Sequence, residues 1–282
     1  MLRLPLTVQL WLLLLTVLVL MWFPLPAQSS QSQPQAIWLM GEVHDHELGH
    51  DYRIRDLKAA LGRSWRPAIL MEQFDTERQD DLTRAWQTCK QAQCVVDMAG
   101  GSGWQWPLYL PLIQLALDYR LPLVAANVSR AQLSGVIKEG FDVVFEPAVI
   151  EQFALAEPLP QPWLDQQRHA MREGHCNLLP ERMIDPMVNA QAVRDIMYAR
   201  FIEDYASQGA VVIAGNGHVR KDLGIYVWLT PALRERVTVF GYVEIESGDA
   251  LAYDRVRFMP AHPRPDPCES FRQSMQRSTT SN

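Results

Sequence analysis

No cluster of lysine and arginine occurs in the body of the chain, and acidic residues outnumber basic ones 32 to 26, for a formal net charge of −6. Neutralising a phosphate backbone needs a basic face, so a nucleic-acid partner is disfavoured. No repeat of solenoid length is visible, and low complexity is confined to residues 28–35 and the tail beyond Ser274, which read as disordered ends. Cysteine is scarce, with four in the chain, and none follows the N-terminal apolar run. A lipoprotein anchor is therefore not supported.

That apolar run is itself informative. Arg3 supplies a positive start, residues 10–23 an apolar stretch, and Leu25-Pro26-Ala27 a small-residue end before polar Gln28. Residues 1–27 read as a signal peptide cleaved near Ala27, with an uncleaved N-terminal anchor as the competing reading. Either way the body is exported, which makes the cysteines candidates for disulfides. Cys89 and Cys94 are near enough in sequence to close a small loop, leaving Cys176 and Cys268 as a long-range staple. Other connectivities, and buried free thiols, stay open.

Four short apolar runs recur, at residues 37–40, 68–71, 123–126 and 210–214. Each is too short for a buried helix and is soon followed by Gly, Glu or Asn, the look of a fully buried parallel strand. Helical patterns at about 46–61, 77–90 and 106–119 fill the intervals. The expected fold class is α/β, with a mostly parallel central sheet flanked by helices. Residues 129–207 read differently: 147–156, 162–173 and 186–205 look helical, and 141–145 is a weak strand candidate. Asp185 is expected as an N-cap with Pro186 at the first helical position, and Met187, Ala190, Arg194, Met197, Phe201 and Tyr205 along one side. This is a helical insertion within a domain spanning 36–260. Residues 237–245 and 250–258 alternate around Ser247-Gly248-Asp249 and are expected to close the sheet as a β-hairpin. Residues 261–282 form a tail.

Ligands of open α/β sheets bind beyond the carboxyl ends of the strands. The first run delivers Gly41-Glu42-Val43-His44 and the second Glu72. After the third come Asn127 and Arg130, and after the fourth Gly215-Asn216-Gly217-His218 and Arg220. Two strands thus end in Gly-x-x-His, where glycine permits a sharp turn. If the strands are neighbours, His44, His218, Glu42 and Glu72 converge. Imidazoles and carboxylates around one cavity suit a divalent metal, a general acid/base pair, or the polar rim of a cofactor site. His46 and His50 are four apart and could share a helix face as auxiliary metal ligands. For His50 the simpler reading is a first-turn residue bonded to water or Asp51. Gly100-Gly101-Ser102-Gly103, ahead of Trp104, Trp106 and Tyr109, reads as a linker or as a loop carrying aromatics to a flat ligand.

Six motifs in order carry a resemblance: Gly41-Glu42-Val43-His44-Asp45, Met71-Glu72-Gln73-Phe74, Ala125-Ala126-Asn127-Val128-Ser129-Arg130, Gly174-His175-Cys176, Asn189-Ala190-Gln191-Ala192-Val193-Arg194-Asp195, and Gly215-Asn216-Gly217-His218-Val219-Arg220. Over residues 37–258 the chain resembles the ChaN-like haem-binding uptake proteins, in a superfamily with the Tiki metallopeptidases and erythromycin esterase-like enzymes. The resemblance implies export to the bacterial periplasm or cell envelope, haem held at a homodimer interface, and a role in iron acquisition beside an outer-membrane haem receptor. The haem site is expected to draw on His44, His218, Asn127, Arg130, Arg220 and His175. Tyr52, Tyr109, Tyr198 and Tyr226 are the candidates for the family's axial tyrosine. The alternative is a metal-dependent hydrolase in which His44, Glu42, Glu72, His218 and His46 hold a divalent cation, with Glu42 or Glu72 as general base.

Overall fold

Strand β1 (Ile37–Met40) lies between β4 (Ala210–Ile213) and β5 (Val237–Glu244) in one six-stranded sheet. The sheet is completed by β2 (Ala68–Asp75), β3 (Leu123–Asn127) and β6 (Arg255–Met259), and its order is β3-β2-β4-β1-β5-β6. Every pairing is parallel. The computed structural model describes residues 35–62, 65–245, 250–266, 268–269 and 272–273, so the expected signal segment 1–27 lies outside the described residues.

The strands are apolar on both faces because both faces are covered. Successive side chains alternate across a strand. Ile69, Met71, Val211 and Ile213 therefore enter one core, and Ala68, Leu70, Ala210 and Val212 the other. The first core is closed by α1 (Glu47–Leu61), α2 (Gln79–Thr88), α3 (Ala92–Ala99) and α4 (Trp106–Asp118). The second is closed chiefly by α8 (Glu181–Tyr205), through Tyr198, Ala199 and Ile202. Between β3 and β4 the described residues form only helices: α5 (Arg130–Glu139), α6 (Pro147–Gln152), α7 (Gln161–Gly174) and α8, with a 3-10 turn at Phe141–Val143 where the sequence suggested a weak strand. The short α9 (Asn216–Val219) and α10 (Pro231–Arg234) follow β4. This is the α/β architecture expected from the strand–helix alternation.

Three local expectations are corrected. Helix α8 begins at Glu181, and Pro186 sits inside it. Asp185 does not cap it; both carboxylate oxygens are bonded to Arg168 of α7, at 2.6 and 3.0 Å. The added first turn is held by Ile184, packed with Val188 and Met171. The buried surface of α8 is also wider than the expected side: Ala190 and Met197 are buried, with Phe201 and Tyr205 packed against the cores, and Val188, Ala192, Asp195, Ile196, Ala199 and Ile202 are buried besides.

The closing strands do pair at the sheet edge, but in parallel, with Phe240 opposite Arg255 and Glu244 opposite Met259. Alternation has the same period in either direction, so it could not tell a hairpin from a crossover. The proposed turn at 247–249 lies outside the described residues. Tyr253, arriving on the return path, packs against β5 where a Cβ on Gly241 would meet its ring at 2.7 Å. That close approach requires the glycine. Both expected disulfides are formed, Cys89–Cys94 and Cys176–Cys268.

Candidate functional site

Because β2, β4 and β1 are adjacent at the centre of the sheet, the residues after their last positions converge. Gly41 lets the end of β1 approach α9 closely, since a Cβ there would meet Asn216 Oδ1 at 2.1 Å. Gly215 does the same after β4: its missing Cβ would stand 3.2 Å from His44 Nε2. Both glycines of the paired Gly-x-x-His motifs thus make room for the site they introduce.

Glu42 is its buried base. The carboxylate accepts from the Tyr109 hydroxyl at 2.6 Å, the Gln73 amide at 3.1 Å and His44 Nδ1 at 2.7 Å, all on Oε1, and from the fully buried Arg53 on Oε2. Burial pushes its carboxyl up, but the Arg53 charge and the His44 hydrogen bond override this and hold it near a pKa of about 2. Arg53 also donates to His50 Nδ1, at 2.7 Å, while His50 Nε2 donates to the His44 carbonyl at 3.0 Å. Burial, reinforced by Arg53, lowers the His50 pKa to about 4. His50 is therefore a neutral prop under the His44 loop.

Two imidazoles face Glu72 from either side. His44 commits Nδ1 to Glu42 and turns Nε2 outward, 3.9 Å from Glu72 Oε2, with its side chain 46% exposed. His218 commits Nδ1 to the buried Asp195 at 2.6 Å, and its Nε2 lies 3.8 Å from Glu72 Oε1. Glu72 Oε2 accepts from the Gly215 backbone N–H at 2.7 Å. Burial lowers the pKa of both histidines, yet the neighbouring carboxylates outweigh it and both are raised. Burial pushes Asp195 up to about 6 against the pull of His218. Each imidazole thus has Nδ1 oriented by a carboxylate; His44 Nε2 makes no hydrogen bond among the described residues, whereas His218 Nε2 also lies 3.5 Å from the Gln191 amide.

Among the other expected site residues the placements diverge. Asn127 donates to Asp75 at 2.7 Å, and Arg130 stands at the first position of α5, where Ser129 and Gln132 form a capping box. Both line a cleft of about 600 Å³ with Gln73, Gly101, Trp104 and Arg194. Trp104 also sets its ring edgewise on His44, at 5.1 Å between centroids. The glycine-rich loop is thus a wall of the site. Arg220 pairs with Asp222 at 2.7 Å. His175 bonds the Met171 carbonyl beside the Cys176–Cys268 bridge. His46 is directed to the Pro260 carbonyl at 2.8 Å, so it and His50 do not share a ligand. Glu42, enclosed by four donors, and His46, bonded to the tail, stand apart from the face where His44, Glu72 and His218 meet. Of the four tyrosines, Tyr109 and Tyr198 adjoin the site but are fully buried; Tyr52 stacks with Arg55 and Arg257, and Tyr226 with Lys221 and Arg234.

Sequence reasoning did not assign Arg53, Gln73, Asp195 or Gln191 to the site, although Gln191 bonds His218 at 3.0 Å, and it offered Tyr109 as a ligand rather than as a donor to Glu42. A signal existed for two of them. Arg53 lies in the buried stripe of α1 with Ile54, Leu57 and Leu61, and Asp195 sits between Val193 and Ile196 in α8. A charge within an apolar stripe is kept only with a partner.

The family described as haem-binding uptake, Tiki superfamily, ChaN, matches residues 29–229. Among solved structures the chain is similar to one titled as cofacial heme binding to ChaN of Campylobacter jejuni, with 17% identity, a TM-score of 0.63, and 79% of this chain and 87% of that one covered. It is also similar to an erythromycin esterase mutant, EreC H289N, in its open conformation, at 12% identity and a TM-score of 0.43, covering 84% of this chain and 79% of that one. No curated protein matches the sequence.

Proposed function

The chain belongs to the haem-binding uptake family of the Tiki superfamily, ChaN, and we propose that it binds haem beyond the carboxyl ends of β1, β2 and β4 as an exported protein of iron acquisition. The observation that carries the site assignment is His44: Nδ1 is held by Glu42, and Nε2 is left unbonded on the open side next to Trp104. A haem site needs an axial donor, an apolar or aromatic wall, and groups for the propionates. The residues fit that demand. His44 supplies the axial nitrogen, Trp104 a flat wall, and the cleft by Asn127 and Arg130 the polar end. Bound haem would supply the iron centre, which His44 Nε2 would hold. The Glu42 bond fixes the tautomer that offers that nitrogen's lone pair, and Arg53 keeps Glu42 ionised.

In this reading His44 takes the axial role rather than any of the four tyrosines, because Tyr109 and Tyr198 are enclosed and Tyr52 and Tyr226 are engaged with cations. His218, anchored on Asp195, is the second donor. Residues 36–260 form the binding unit, with 129–207 walling the cleft. The two disulfides fit an oxidising compartment, and we assign the protein to the periplasm or envelope, as a homodimer delivering haem beside an outer-membrane receptor.

The test is a haemin titration of the protein from Gln28 onward, followed in the Soret region with light scattering for mass. A saturable shift at defined stoichiometry is expected, with a mass of two chains when haem is bound. Changing His44→Ala should weaken binding by at least about 100-fold, since loss of mere orienting partners already costs 10–100-fold. Wild-type spectra indistinguishable from free haemin would overturn the assignment.

A further inference from the structure

Arg194 is a half-buried guanidinium that makes no close ion pair among the described residues, although its charge acts on the neighbouring Asp195. It sits on α8 beside Asp195 and lines the cleft that carries Trp104, Asn127 and Arg130. Its Nε is buried and has no hydrogen-bond partner, and among the described residues no carboxylate lies within ion-pair distance of it. The contrast with the neighbouring cations is direct: Arg78 is paired with Asp81 at 2.6 Å and bonds the Met98 carbonyl, and Arg220 is paired with Asp222 at 2.7 Å. An unpaired guanidinium donor inside protein is costly. A ligand carboxylate lying in the cleft would supply the missing acceptor.

Arg130 faces the same cleft from the first turn of α5, where the capping box fixes it. A cation at a helix N-terminus opposes the helix dipole, so this position lowers helix stability but adds to the attraction for an anion. Arg130 and Arg194 both line the cleft, so two positive charges are available to an anion bound there. The carboxylates on the rim are Asp75, which is engaged by Asn127, and Glu77.

We infer that Arg194 and Arg130 form a carboxylate-binding subsite, adjoining the His44 face, that selects the acid form of a flat ligand over its neutral ester. The inference rests on the haem reading for the identity of that ligand. Arg194 is the specificity-determining residue because its fork can hold both oxygens of one carboxylate.

The experiment compares haemin, iron-free protoporphyrin and the dimethyl ester of iron-free protoporphyrin on wild type, Arg194→Gln, Arg130→Gln and Arg220→Gln. Wild type should bind the iron-free acid about tenfold or more tightly than the ester, the strength expected of a charge-assisted pair. Arg194→Gln should bring the two within about twofold while ester binding stays at the wild-type level, which also shows that the variant is folded. Should Arg194→Gln fail to fold, Arg130→Gln reads the same loss of acid preference, and Arg220→Gln should keep it. Haemin binding with the acid preference intact in Arg194→Gln and Arg130→Gln overturns the subsite and leaves the haem reading standing. Arg194-dependent binding of the iron-free acid without haemin binding does the reverse. No binding of any porphyrin to wild type overturns both.

Discussion

At the scale of single residues, the site is a set of imidazoles oriented by buried carboxylates, of which Glu42 is kept charged by its own partners. The Glu42–Arg53–His50 chain shows how. A carboxylate and a guanidinium are removed from water together, and His50, trapped against the guanidinium, is held neutral. This has a consequence for stability. A histidine with a pKa of 6.5 when unfolded and about 4 when folded takes up its proton preferentially in the unfolded chain between those values. Unfolding is therefore favoured as pH falls, and the His50 contribution, complete above 6.5, is lost on the way to about 4. Glu42 extends the loss from 4.5 toward its folded value of about 2. His44, His218 and Asp195, with raised pKa values, act in the opposite sense, so the His50 contribution is read from urea midpoints of wild type and a variant compared from pH 7 to pH 4. His50→Gln, which keeps donor and acceptor atoms but does not titrate, should be less stable at pH 7, and its deficit should shrink toward pH 4. An equal slope in both proteins would show that His50 is not the source.

At the scale of elements, the central strands set the positions and the edge strands close the sheet. The parallel pair β5–β6 depends on a return path that lays Tyr253 on Gly241 and brings the Tyr253 hydroxyl to within 3.5 Å of the Asn216 carbonyl in α9. Gly241→Ala should cost about 1–3 kcal/mol, the usual penalty for overpacking. In a Tyr253→Ala background the same change should cost less than about 0.5 kcal/mol, because the ring it strikes is gone. Denaturant titration of the four proteins of this cycle checks the coupling; equal costs in both backgrounds would mean that the strain lies elsewhere.

At the scale of the whole molecule, the two disulfides act over different lengths. Cys89–Cys94 spans a sequence separation of 5 and Cys176–Cys268 one of 92. The longer bridge ties the tail, which also carries the Arg264–Asp45 pair at 3.0 Å and the Pro260 carbonyl bonded by His46, to the end of α7. On the chain-entropy scale, removing it as a Cys176→Ser, Cys268→Ser double change should cost about 4 kcal/mol, against about 2 kcal/mol for the Cys89, Cys94 pair. Equilibrium urea unfolding gives both numbers, and a larger loss from the short loop would contradict the ordering.

The positions of the four buried strands, the α/β class and the two Gly-x-x-His ends were legible in the sequence, because a strand covered on both faces must be apolar throughout and a strand end must change chemistry abruptly. His44, His218, Glu42 and Glu72 followed from that pattern alone. Strand order was not legible, nor was the direction of the last strand: the placing of β4 between β2 and β1, and the parallel run of β6, depend on pairings between residues far apart that leave no mark on local periodicity. The same holds for Asp195 behind His218, for Arg53 and Tyr109 beneath Glu42, and for the placing of Arg194 in the cleft. Which residues carry chemistry is written in their type and their place at a strand end. Which of them is oriented, neutralised or left without a partner is decided only when helices distant in the sequence bring their buried charges together.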